Sequence, residues 1–121
     1  MLEPNLNTGV ILEPRRETDF VAGSESGVIH TERLPSGDWT SYLPPDERQK
    51  VFNFDTFGCV SFSALNVIEC QIKLLTRKEV NYSDRYTIKQ SGTTERGNSL
   101  RNVAESIRKD GLVPQADWEF P

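Results

Sequence analysis

Apolar residues recur at steps of four, four, four and three through Val60, Ala64, Ile68, Ile72 and Leu75, and Leu65 and Val67 widen the stripe. One face of an α-helix has that period. The spacing predicts a helix over residues 59–77, ending on Thr76, Arg77 and Lys78, basic as a helix C-terminus prefers. A second stripe, Leu100, Val103, Ala104 and Ile107, predicts a helix over residues 99–110. Ser99 is placed to cap it, Gly111 to close it in the left-handed conformation, and Leu112 to supply the apolar contact of that closure. Residues 1–30 hold no helical period. Pro4, Gly9, Pro14, Gly23 and Gly27 interrupt short apolar pieces such as Val10-Ile11-Leu12, which reads as extended chain. This leader is either a surface-running tail or an arm packed on the body or on a neighbour. Trp39 and Tyr42 read as packing residues, Pro44 and Pro45 as a turn with a short helical turn starting at Pro45, and residues 90–99 as a polar glycine-containing loop.

Composition narrows the class. At 121 residues the chain is one small domain or part of a larger one, with 36% hydrophobic residues and a net charge of −4. There is no basic excess to attract nucleic acid, and no apolar run long enough to cross a membrane is expected. No charged segment followed by an apolar one opens the chain, so no secretory signal is expected. Cys59 and Cys70 lie on one predicted helix about 16 Å apart. A disulfide needs Cα atoms within about 7 Å, so the two cannot pair. The chain therefore reads as reduced and intracellular. One histidine, His30, and no Cys-x-x-Cys leave no expectation of a metal or cofactor.

The chemistry concentrates at Cys59. It stands where a loop carrying Thr56 and Gly58 enters the first helix. A thiol there meets unpaired backbone N–H groups and the positive end of the helix dipole, and both favour the reactive thiolate.

The run Gly58-Cys59-Val60-Ser61-Phe62-Ser63-Ala64 resembles the nucleophile segment of the papain-like cysteine peptidases, with Val60 where that family carries Trp. The upstream cysteine of the secreted enzymes is absent. The resemblance extends from Leu34 to Pro121. Leu34-Pro35 and Asp38-Trp39 are similar to the opening of the mature domain, with Thr40 in place of Arg. Residues 80–86 are similar to a short helix, with Ser83 as its cap and Tyr86 as its packing residue. Residues 111–121 are similar to the exit of the helical lobe, with Trp118 and Phe120 closing the core.

The resemblance implies an α+β fold. This would be the mainly helical lobe of a papain-like domain over residues 34–121, with an extended N-terminal arm over residues 1–33 and few short strands. It implies Cys59 as nucleophile, Asn53 or Gln49 as the side-chain amide facing the oxyanion, and Gly58, Gly97 and Asn98 along the substrate cleft. The family's catalytic His and Asn lie about 130–150 residues beyond the Cys. The sequence runs to Pro121, so neither has a matching position.

Three readings follow. The chain is a peptidase half-domain, inactive until a second lobe or polypeptide supplies the His, and its substrate is a peptide or protein. Alternatively it is a non-catalytic structural or binding component, for example of a viral particle, with further subunits on its exposed face. In the third reading His30 is the base, in the order of circularly permuted relatives. Neither nucleic acid nor membrane is an expected partner. The expected location is the cytoplasm, or a virion for a phage-encoded protein.

Overall fold

The computed structural model describes residues 9–19, 34–45, 47–48, 50–51 and 54–119. In chain order these form a 3-10 turn (Thr40–Tyr42), strands β1 (Lys50–Val51) and β2 (Phe54–Asp55), helices α1 (Cys59–Thr76), α2 (Asp84–Gln90) and α3 (Leu100–Asp110), and a 3-10 turn at Gln115–Asp117. The expected α+β class is overturned: this is a small helical protein built on three helices. Among the described residues, β structure is confined to an antiparallel ladder of two residues per strand and to isolated bridges. So short a ladder buries no sheet face, and the core falls to the helices. Among the described residues, the strands expected from the leader and from residues 118–120 reduce to one bridge at Val10, while Trp118 and Glu119 form none; Phe120 and all of the leader except residues 9–19 lie outside the described residues.

Each helix starts where the sequence provides a reason. Ser83 Oγ accepts the Tyr86 N–H at 3.0 Å, and Ser99 Oγ accepts the Asn102 N–H at 3.1 Å, so α2 and α3 are both capped by serine. Ser83 also donates to the Trp118 carbonyl at 2.5 Å, and the Tyr86 and Trp118 rings meet at 5.7 Å. These contacts fasten the chain after α3 to the start of α2. Helix α1 ends in Arg77 at φ +61°, whose N–H reaches the Lys73 carbonyl. The Arg77 guanidinium donates to the Tyr42 hydroxyl at 2.8 Å, which ties the 3-10 turn of residues 40–42 to the end of α1. Gly111 has the expected positive φ of +74°, but its ψ of −161° makes it extended rather than left-handed helical.

The buried faces are rotated from those the stripes predict. On α1 the line Ser61, Leu65 and Glu69 is buried together with Val60 and Phe62, whereas Val67 and Leu75 are 56% and 68% exposed. On α3 Val103 is fully buried, but Leu100 is 65% exposed and Ala104 is also exposed. The cause is the packing of α1, α2 and α3 against one another. That shared contact covers the Ser61 side of α1, and no described element covers the Val67 side. By length and composition alone α1 could cross a membrane. It packs against α2 and α3 and buries Glu69 on its inner face.

Gly58 sits at the tightest point of this packing. A Cβ there would overlap the Cδ1 and Cγ1 atoms of Ile88 on α2. Gly58→Ala should therefore destabilise the fold by about 1–3 kcal/mol, as overpacked cores do. Combining it with Ile88→Ala removes the clash, so the double variant should lose less than the sum of the two single variants in urea melts. Simple additivity would show that Ile88 is not the obstacle.

Candidate active site around Cys59

The approach to Cys59 is built from local hydrogen bonds. Asp55 Oδ1 accepts the Phe57 N–H at 2.9 Å, and Thr56 Oγ1 accepts the Gly58 N–H at 3.2 Å. These two side-chain turns hold Phe57 at φ +53°, a conformation that costs energy for a bulky residue. The chain then enters α1, with Cys59 as its first residue and partly buried.

The leader comes to this cysteine. A Cβ on Gly9 would lie 2.8 Å from Cys59 Sγ and 3.4 Å from the Phe57 carbonyl oxygen, so the buried Gly9 backbone is packed against the thiol. Asn98 donates its N–H to the Gly9 carbonyl at 3.0 Å and accepts the Ile11 N–H at 2.8 Å, which makes Val10 and Asn98 a parallel bridge. Gly97, at φ +86°, is so close to Gly9 that any Cβ on it would overlap the Gly9 carbonyl. An extended main chain thus runs past a cysteine at a helix N-terminus, held by the backbone of the residue that precedes the α3 cap.

The side chain of Asn98 faces the other way. Its Nδ2 donates to the Ser91 carbonyl and hydroxyl and to the Thr93 hydroxyl at 3.1–3.2 Å, and its Oδ1 accepts from Ser99 N and Asn102 Nδ2. Of the residues expected at the cleft, Gly97 and Asn98 therefore come together with Cys59 by way of Gly9. Gly58, which immediately precedes Cys59 in the chain, packs its Cα against Ile88. The amides expected to face an oxyanion, Asn53 and Gln49, and the single histidine, His30, lie outside the described residues.

A second cluster was not anticipated. Glu69 on α1 and Asp84 at the start of α2 are 4% and 2% exposed, and Glu47 is hydrogen-bonded to Asp84. Glu69 accepts the Tyr82 N–H at 3.1 Å. Burial, opposed by that bond and aided by the charge of Glu47, pushes Glu69 up to about 7. Burial, the hydrogen bond that the Asp84 carboxyl donates to Glu47 and the charges of Glu47 and Glu69 push Asp84 far above the carboxylate range. The dipole of α2 favours an anion at Asp84 by about 0.3–1 kcal/mol, less than the several kcal/mol that desolvating a carboxylate costs. Among the described residues none of the three joins an ion pair, and no group of His, Cys, Asp and Glu is arranged to hold a metal. A sequence signal did exist for Glu69, which stands four residues after Leu65 and is the one acidic residue of that helix.

No family model, curated protein or solved structure matches this chain.

The two raised carboxyls link folding to pH. An acid whose folded pKa lies above its unfolded value takes up a proton on folding. Its contribution is complete below the unfolded value and is lost as pH rises through the folded one. For Glu69 the loss spans the interval from the ordinary carboxyl range to about 7, and Asp84 carries it further. The melting temperature should therefore fall between pH 5 and pH 8, with about 1–3 kcal/mol lost. Glu69→Gln keeps an acceptor for Tyr82 and should flatten part of that slope. A melting temperature that rises over this interval would mean that both carboxyls are ionised in the fold.

Proposed function

We propose that this chain is the helical half of a cysteine-peptidase-type acyl-transfer site, with Cys59 as the nucleophile. One observation carries the reading: the Gly9 main chain is seated beside Cys59 at the start of α1, and the chain there is paired to the backbone of Asn98. A nucleophile that attacks peptide carbonyls needs this juxtaposition, because main-chain pairing holds a peptide bond within reach of the sulfur. The uncovered Val67 side of α1 fits a partner lobe or subunit on that face.

In this reading the Cys59 thiolate adds to the carbonyl carbon, and the oxyanion that forms is met by N–H groups of the first turn of α1. The C–N bond breaks, a general acid protonates the leaving amine, and water then releases the acid from the Cys59 thioester. The acid and base is a histidine, from His30 or from a partner chain. Asn53 or Gln49 adds a side-chain donor to the oxyanion. The resemblance of residues 58–64 to papain-like peptidases supports the same assignment. A second reading, a non-catalytic binding component, is favoured by the way Gly9 fills the space over the sulfur.

The pH profile of Cys59 alkylation tests this, with mass mapping to assign the modified sites and Cys70 as internal reference. Burial and the nearby Glu69 raise the Cys70 thiol, so its rate should fall steeply below pH 9. The peptidase reading expects the Cys59 rate, measured with the histidine-bearing partner present or in the chain alone if His30 serves, to stay level down to about pH 5. A Cys59 rate that tracks an ordinary thiol in both settings overturns it. The shape of the profile decides, not its height.

A further inference from the structure

We propose that residues 9–12 are a displaceable strap that closes Cys59 off by occupying, in cis, a main-chain pairing slot on Asn98, and that a separate extended peptide with glycine over the sulfur can take the same slot. The inference deepens the acyl-transfer reading, but it rests on access to the sulfur rather than on its acidity.

Three features support a strap rather than a built-in strand. First, residues 10–12 are lightly held among the described residues. The hydrogen bonds from Asn98 N to the Gly9 carbonyl and from Ile11 N to the Asn98 carbonyl bridge Val10 to Asn98, and Val10, Ile11 and Leu12 are 39%, 43% and 88% exposed. Segments with few buried apolar contacts open locally at low cost. Second, a clasp holds the far end. Arg101 on α3 makes a two-pronged contact with Asp19 at 2.7 and 2.9 Å and reaches Glu13 at 3.5 Å. The paired side chains are 24–33% exposed, so salt and competing charges reach the clasp but screen it less than a fully exposed pair. Third, the fit over the sulfur is selective. Gly9 adopts φ +83° and leaves no room for a Cβ between Cys59 Sγ and the Phe57 carbonyl, so only glycine seats there without displacement.

The slot offers one N–H and one C=O of Asn98, while the Asn98 carboxamide is fully engaged in holding its own loop. A ligand therefore needs main chain that bridges Asn98, as in strand addition to a free edge, and a glycine at the position over the sulfur. Its selectivity comes from the glycine position.

The test is iodoacetamide labelling of Cys59 in the full chain at pH 8.5, with Cys70 as internal reference. Gly9→Val should lift the strap and raise the Cys59 rate on the order of ten-fold, and Arg101→Gln should raise it less, both without changing the Cys70 rate. Amide exchange at Ile11 should quicken in both variants. A synthetic peptide with the sequence of residues 7–13 should restore protection to the Gly9→Val protein, and the same peptide with valine for glycine should not. Faster Ile11 exchange with unchanged Cys59 labelling in both variants would overturn the strap. Failure of the glycine peptide to protect, or equal protection by the valine peptide, would overturn the slot. Because every comparison is between rates at one pH, these outcomes are independent of whether the Cys59 pH profile is that of an activated thiol.

Discussion

The buried carboxamide of Asn98 is the interaction on which the rest of the site depends. It spends both of its faces on structure, donating to Ser91 and Thr93 at the end of α2 and accepting from Ser99 and Asn102 at the start of α3. Asn102 Nδ2 adds a second bond to the Ser91 carbonyl at 2.7 Å. The turn between α2 and α3 is thereby fixed by side chains rather than by a sheet. A fixed turn holds the Asn98 N–H and C=O in one orientation, and those two groups bring the leader to Cys59. Loosening the carboxamide would loosen the α2–α3 junction and the pairing beside the sulfur together.

On the opposite flank, α1 and α2 meet through groups that resist burial. Glu69 and Asp84 lie in the interior with Glu47 against Asp84, and the arrangement is tolerable only while protons remain there. The interior is polar beyond this cluster. The fully buried side chains include Ser61, Ser83 and Thr87 beside Leu65 and Val103. Ser83 answers the carbonyl of Trp118 and the N–H of Tyr86, but the hydroxyls of Ser61 and Thr87 have no hydrogen-bond partner. An interior of this kind gains little from hydrophobic burial alone, and its specificity rests on hydrogen bonds such as those of Ser83 and Asn98.

The features legible in the sequence were the local ones. Ser83 and Ser99 were readable as caps because a hydroxyl before a helix has one dominant use, and Cys59 was readable as the first residue of α1 from the start of the four-residue period. Which side of each helix is buried was not legible. Of the stripe through Val60, Ala64, Ile68, Ile72 and Leu75, widened by Leu65 and Val67, the structure buries Val60 and Leu65, leaves Val67 and Leu75 exposed, and adds Ser61, Phe62 and Glu69, because that is where α2 and α3 converge. Periodicity reports that a face is apolar and is silent on what packs against it. The α+β expectation failed similarly: short apolar pieces such as Val10-Ile11-Leu12 have strand composition, yet a strand needs a partner over several residues, and Asn98 offers one. The meeting of Gly9, Gly97 and Cys59 depends on three separate segments of chain, so no local pattern could announce it.

The rotation of the buried face has a consequence for the two halves of the site. Had the predicted stripe been the core, α1 would have been covered on its Val67 side, and Cys59, at its start, would face only the leader. Instead the apolar groups of Val67 and Leu75 stand open on one side of α1, while the helix N-terminus presents Cys59 to the leader beside the loop of residues 94–98. A partner that covers Val67 would rest against the same helix that carries the cysteine. In the proposed reading, docking on that side and exchange of the strap beside Cys59 would both act through α1.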